Sequence, residues 1–235
     1  MTELKIAYFD QLGRKELDQA VQHFVLKHPN VDVKLLATSH DGAFAKLNED
    51  EADIAINDLR DENLNFDETE LTQAGVIAIL PKGMYPNGIQ MIEKDELNDM
   101  TCFIVAKPEE EVSELHLFKD LYQIGSQFIA SNSVEEAVLL VASGSGYFIL
   151  NENTARLINT ADLQPLFLLD HGQLIKQKIM AFYKSNSALS SEFIKLLQQE
   201  YLTTHSLTSN NGHTIDSDSH SEDVDDLGDD FNNLS

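Results

Sequence analysis

Asp10 and Gln11 directly follow the apolar run Leu4–Phe9, Ser39 and His40 close the run that begins at Val31, and Ser131, Asn132 and Ser133 close Gln127–Ala130. A helical pattern comes next in each case. The first backbone N–H groups of a helix have no partner within it, so a polar or anionic ligand is a ready acceptor for them. Asp58 adds a carboxylate after the third apolar run, Asp53–Asn57, and His40 adds a titratable ring. Gathered into one cleft, these groups would recognise a small polar molecule. Each Ser and Asn also makes an ordinary helix cap, and the two roles are compatible.

The elements that must position them alternate in type. Leu4–Phe9 is a short β-prone run. Leu17, Ala20, Val21, Phe24 and Val25 repeat at helical spacing, and His28-Pro29-Asn30 stops that helix. Val31–Leu36 is a second strand, Ala43, Phe44 and Leu47 mark a short helix, and Asp53–Asn57 is a third strand. Strands alternating with helices imply crossover connections and a parallel sheet, whose ligands bind beyond the carboxyl ends of the strands. An acidic connector runs from Arg60 to about Glu70, and Gly75–Leu80 is a fourth strand. The segment 84–100 is rich in loop residues. Thr101–Ala106 is a strand, and Leu115, Phe118, Leu121 and Tyr122 lie on one helical face. Ser133 is placed to cap a helix carrying Ala137, Val138, Leu140 and Val141. Tyr147–Leu150, Leu163–Leu169 and Lys178–Tyr183 are further strands, and Leu189, Phe193, Leu196, Leu197 and Tyr201 form the stripe of a terminal helix.

The same residues carry a resemblance. "LKIAYF", then "LDQAVQHFVLKHPNVDVKLLATSHDGAFAKLNEDEADIAINDLR", resembles the opening of the effector-binding domain of LysR-type transcriptional regulators. "ELNDMTCFIVAKP", "ASNSVEEAVLLVASGSGYFILNENTA" and "QKIMAFYKSNSALSSEFIKLLQQEY" resemble later segments of that family in the right order. The resemblance implies an α/β fold of the type 2 periplasmic-binding-protein kind, with two lobes, each a mainly parallel sheet flanked by helices. The domain would span residues 1–203, with lobe I at about 1–80 and 163–203 and lobe II at about 81–162. By position, the resemblance assigns effector contacts to Asp10, Gln11, Ser39, His40, Asp58, Phe103, Asn132 and Ser133. Two residues depart from the family pattern: Asp10 stands where a small hydroxyl residue is common, and Cys102 replaces a proline. A fixed carboxylate at Asp10 would repel organic acids. The family's helix-turn-helix has no counterpart before the first strand, so the expectation is a sensory unit acting through a homodimer or a separate DNA-binding regulator.

Composition narrows the alternatives. There are 16 Lys plus Arg against 40 Asp plus Glu, a formal charge of −24. That balance argues against nucleic acid and anionic membrane as direct partners. Eight of the carboxylates fall between Thr204 and Ser235, where there is no Lys or Arg, so 204–235 reads as a disordered acidic tail. His205, His213 and His220 alternate with those carboxylates, yet solvated disorder suits this composition better than metal binding. The N-terminus has no signal-peptide pattern, no apolar run is long enough for a membrane helix, and the single Cys102 suits the cytoplasm. Neither a phosphate-binding lysine loop nor a zinc-binding His-Glu-x-x-His is present. Ser143-Gly144-Ser145-Gly146 lacks the third glycine of a dinucleotide loop and the strand that precedes a nucleophile elbow; it reads as a tight turn. Glu109-Glu110-Glu111 reads as negative charge at a helix start. No cofactor, metal or catalytic constellation is expected. The rivals sharing this fold are a transporter's solute receptor and an enzyme, for which only Asp10, Asp58 and His40 would be available.

Overall fold

The computed structural model describes residues 2–60, 65–159, 161–185 and 187–210. The first sheet grows from β1 (Thr2–Phe9), α1 (Lys15–Lys27), β2 (Val31–Thr38), α2 (His40–Asn48) and β3 (Ile54–Asp58). β2 and β3 both run parallel to β1, as strands joined by helical crossovers must. A long strand, β4 (Asp67–Pro81), then leaves this sheet for a second one. There follow β5 (Met91–Glu93), β6 (Thr101–Val105), α3 (Glu111–Leu115), β7 (Gln127–Ser131), α4 (Val134–Ala142), β8 (Tyr147–Asn151), α5 (Glu152–Ala155), β9 (Leu163–Asp170) and β10 (Gln173–Leu174). β11 (Lys176–Tyr183) returns to the first sheet, and α6 (Ala188–Asn210) closes the described chain.

Each half thus keeps a parallel core, β2-β1-β3 in one and β7-β6-β8 in the other, while antiparallel β11 and β4 connect the halves. The apolar residues divide accordingly. Leu4, Ile6, Phe24, Ile54 and Phe193 pack around the first sheet, whereas Ile104, Leu166 and Tyr147 pack around the second. α1 rests on α6 through Phe24 and Phe193, whose rings meet edge to face with centroids 5.5 Å apart, a geometry worth about 1 kcal/mol beyond buried area.

Five expectations need correction. β9 pairs with Ile77–Pro81 of β4 and carries β5 and β10 beside it, so it belongs to the second sheet and the chain re-enters the first only at Lys176, not at residue 163. β4 begins at Asp67, inside the expected connector, because β11 supplies partners from Tyr183 back to Lys176. The region 84–100 contains β5 and a 3₁₀ turn at Lys94–Leu97. The helix expected around Leu115–Tyr122 is five residues of α3 followed by a wide π-helical turn, His116–Leu121, that buries Leu117 and Phe118 and leaves Leu121 exposed. The expected tail from 204 is corrected too: α6 runs on through Asn210, and the rest of that tail, 211–235 with His213 and His220, lies outside the described residues, as do 61–64 of the connector.

The glycine-serine segment is the expected turn. Gly144 adopts φ +83°, the left-handed conformation that ends α4. A Cβ on Gly146 would lie 2.3 Å from the Thr101 carbonyl oxygen, so only glycine lets β8 start beside β6. Cys102 is fully buried, and burial pushes its thiol up to about 12, which makes it inert.

Candidate functional site

Beyond the carboxyl ends of β1, β6, β7 and β8 lies a cavity of about 270 Å³. Asp10 and Gln11 form one wall, Val105, Lys107 and Glu110 a second, and Asn132, Ser133 and Thr154 a third. Four residues predicted from the sequence therefore meet here: Asp10, Gln11, Asn132 and Ser133. The two sheets are stitched together at this point. Gln11 Nε2 donates to the Val105 carbonyl at 3.1 Å, and the Gln11 carbonyl accepts from Thr154 Oγ1 at 2.7 Å and Asn151 Nδ2 at 3.3 Å.

The electrostatics are acidic with one cation. Glu110 is 8% exposed, accepts from the Lys107 N–H at 3.2 Å and faces the Lys107 ammonium at 3.8 Å. Asp10 stands at the rim, where partial burial raises its pKa; Lys107 opposes that shift and Glu110 adds to it. The start of α4 is closed by its own side chains. Ser133 Oγ accepts from the Glu136 N–H at 3.2 Å, and Glu136 Oε2 accepts from Asn132 at both its backbone (2.9 Å) and amide (3.3 Å) nitrogens. An incoming anion would find those donors taken and a carboxylate beside them.

His40 and Asp58 sit in a neighbouring buried network and half-buried Ser39 precedes it; none of the three lines this cavity. Ser39 caps α2 by accepting from Gly42 N–H at 3.1 Å. Asp58 is fully buried and accepts from Arg60 Nε at 3.1 and 3.2 Å and from Gln177 Nε2 at 2.7 Å. Arg60 then reaches α3, donating to the Ser113 carbonyl at 2.8 Å, its hydroxyl at 3.0 Å and Glu114 Oε1 at 2.8 Å. α3 also meets the start of α2, where Ser113 Oγ donates to Asp41 Oδ1 at 3.3 Å. Burial would lower the Arg60 pKa, but Asp58 and Glu114 outweigh it and the net shift is upward. One guanidinium cannot neutralise two buried carboxylates, so burial pushes Glu114 up to about 7 despite the contact. His40 Nε2 lies 3.2 Å from Asp58 Oδ1, and burial lowers its pKa against the pull of that carboxylate.

Phe103 belongs to neither group. It is 4% exposed and packs with Ala137, Val141 and Phe148 beneath α4. Phe103 and Val105 share a face of β6, but Phe103 lies two residues short of the strand end, where Val105 reaches the cavity. Lys107, Glu110, Thr154, Arg60 and Glu114 escaped the sequence reading. Lys107, the first polar residue after β6, carries a signal by the strand-end rule; Glu110 had been read only as helix-start charge. Among the described residues no group of three or more His, Cys, Asp or Glu could hold a metal ion, and no helix is long and apolar enough to cross a membrane.

This geometry has known counterparts. The effector-binding domain of a BenM variant superposes with a TM-score of 0.73 at 16% identity, covering 87% of this chain and 97% of that one. Full-length BenM gives 0.73 at 18% identity, and the match covers 69% of its chain. The regulatory domain of an OxyR2 mutant from Vibrio vulnificus gives 0.67 at 18%, covering 86% and 96%. No curated protein matches the chain. The LysR substrate binding domain family model matches residues 1–201, from β1 into α6 and through both passages between the sheets, and this chain belongs to that family.

Proposed function

We propose that the chain senses a small, neutral or cationic polar effector in the 270 Å³ cavity and passes the signal through a homodimer or a partner that binds DNA. The observation that carries this is the meeting of Asp10, Gln11, Asn132 and Ser133, drawn from both sheets, around one cavity at the strand ends. A ligand there touches the loop after β1 and the start of α4 at once, so it can bias the relation between the halves. The BenM domain has been solved with its effector benzoate. Here Asp10, Glu110 and the Glu136 carboxylate argue for an amine or an uncharged polar molecule instead. The group is a sensor and no reaction is assigned to it. The net charge of −24 keeps duplex DNA away from this chain itself, and the setting that suits it is the cytoplasm.

Thermal-shift screening of amines, amino acids, sugars and organic acids tests the proposal. A true effector at a hundred times its dissociation constant adds about 2.7 kcal/mol of stability. The effect should vanish in Asp10→Asn combined with Glu110→Gln. A full shift in that variant, or stabilisation by carboxylic acids alone, would refute the assignment.

A further inference from the structure

A smaller cavity, of about 20 Å³, adjoins the effector cavity; Gln11 and Leu150 line both. Its walls include Val76 of β4 and Gln177 of β11, from the strands that join the halves, and Glu114 of α3, the single charged residue of the lining. A cavity needs about 10–15 Å³ to hold one water molecule, so this one takes a single group of that size. Glu114 is 2% exposed. Its Oε1 accepts from Arg60 Nη2 at 2.8 Å, whereas Oε2 has no hydrogen-bond partner among the described residues. Gln177 commits Nε2 to Asp58 at 2.7 Å, and its side-chain carbonyl oxygen is likewise without a partner among them.

The buried charges here do not balance. Asp58 and Glu114 share one cation, Arg60. Of the other titratable groups nearby, Glu110 pairs with Lys107, Asp41 is exposed, burial lowers the pKa of His40, and burial pushes the Tyr122 hydroxyl up. One positive charge is missing. A proton on Glu114 supplies it, which is how burial brings that carboxyl up to about 7. A cation carried by a ligand does the same. We propose, on the reading that the outer cavity receives the effector, that this effector is an unbranched primary amine whose ammonium passes Gln11, enters the inner cavity and pairs with Glu114 Oε2. The Gln11 side chain leaves Val105, the ammonium enters, and the carboxyl proton departs to solvent, so the site stays neutral. Arg60 keeps its bond to Oε1, and the Gln177 carbonyl oxygen is a second acceptor for the ammonium. Leu150 gives the following methylenes an apolar wall on their way out. A quaternary ammonium or a ring is too large for the space beside Glu114.

Calorimetry of the full chain with 1,4-diaminobutane and n-butylamine, against 1-butanol and tetramethylammonium chloride at matched ionic strength, tests the inference. Both amines should bind saturably, and neither control should. At pH 6, heats compared between phosphate and MES buffers should report about one proton released per amine bound, and affinity should fall about tenfold per pH unit below 7. Glu114→Gln keeps an acceptor for Arg60; it should abolish the proton release and weaken amine binding at least tenfold at pH 8. Amine binding without proton release in the unaltered chain would overturn the inner site, whether or not the variant folds. Binding lost in Asp10→Asn with Glu110→Gln but unchanged in Glu114→Gln would keep the outer cavity as the effector site and overturn the inner one. Stabilisation by sugars or other uncharged molecules alone would do the same, and no amine binding at all would also overturn it.

Discussion

Replacing Glu114 with glutamine removes one titrating group from the buried contact between Arg60 and α3 and keeps its shape. Glutamine Oε1 can still accept the 2.8 Å hydrogen bond from Arg60 Nη2. In the native chain, burial pushes Glu114 from 4.5 up to about 7. The folded protein therefore holds a proton between pH 4.5 and 7 that the unfolded chain has released. The contribution of Glu114 to stability is complete below pH 4.5 and is lost as pH rises through 7. A separation of about 2.5 pH units corresponds to about 3 kcal/mol at most. His40 works in the other direction: burial lowers its pKa from 6.5, so its contribution is complete above that value and lost as pH falls. The native profile mixes the two slopes, and only the difference between the proteins isolates Glu114. Urea unfolding of both from pH 4.5 to 8 should show Glu114→Gln gaining on the native chain, by about 3 kcal/mol across the range. A constant difference would refute the reasoning, because it would mean that Glu114 stays ionised in its contact with Arg60.

Two further outcomes follow from the geometry. Ser39→Ala and Ser133→Ala remove the caps of α2 and α4, and each should lower unfolding free energy by about 1 kcal/mol in urea titrations. Self-association through α1 must use Val25, 40% exposed, and Leu26, 81% exposed, because Phe24 is fully buried against Phe193. Leu26→Lys should shift sedimentation at micromolar concentration toward monomer; an unchanged profile would move the interface off α1.

Much of the first half was readable because its signals are local. Phe24 and Leu17 mark a helix face by spacing, His28-Pro29-Asn30 stops it, and Val31 reopens a strand. The strand-end rule pointed to Asp10, Gln11, Asn132 and Ser133, and these four line one cavity. What was missed depends on partners far along the chain. Asp67–Glu70 is polar and reads as loop; it is a strand because Met180–Tyr183 hydrogen-bonds to it. An apolar strand such as Leu163–Asp170 reads the same in either sheet, and only its pairing with β4 decides. Apolar spacing overstated the helix around Phe118, since Leu121 is exposed and the turn widens. The contact of Arg60 with Glu114 spans 54 residues and leaves no local pattern. Asp58 and His40 were assigned by position in the resembled family, and their side chains meet in this buried network.

The two sides of the cleft are consequently held by interactions of unequal strength. On the α3 side Arg60 joins Asp58, Ser113 and Glu114, all of them charged or charge-assisted contacts, and Arg60, Asp58 and Glu114 are buried. Removing one partner of such a buried pair costs about 3–5 kcal/mol. On the cavity side Gln11 is held by three neutral hydrogen bonds, from Thr154, from Asn151 and to Val105, each worth about 1 kcal/mol net. If the proposed effector separates the halves, the Gln11 side is the one it would part, while β4 and β11 keep the two sheets joined. Asp10, Lys107 and Asn132 line the cavity on the Gln11 side, and α5 contributes Thr154 to it. A ligand entering beside Asp10 has only to part neutral hydrogen bonds and replace them with its own. Under the proposed function, such binding would leave the buried contact of Arg60 with Asp58 and Glu114 intact.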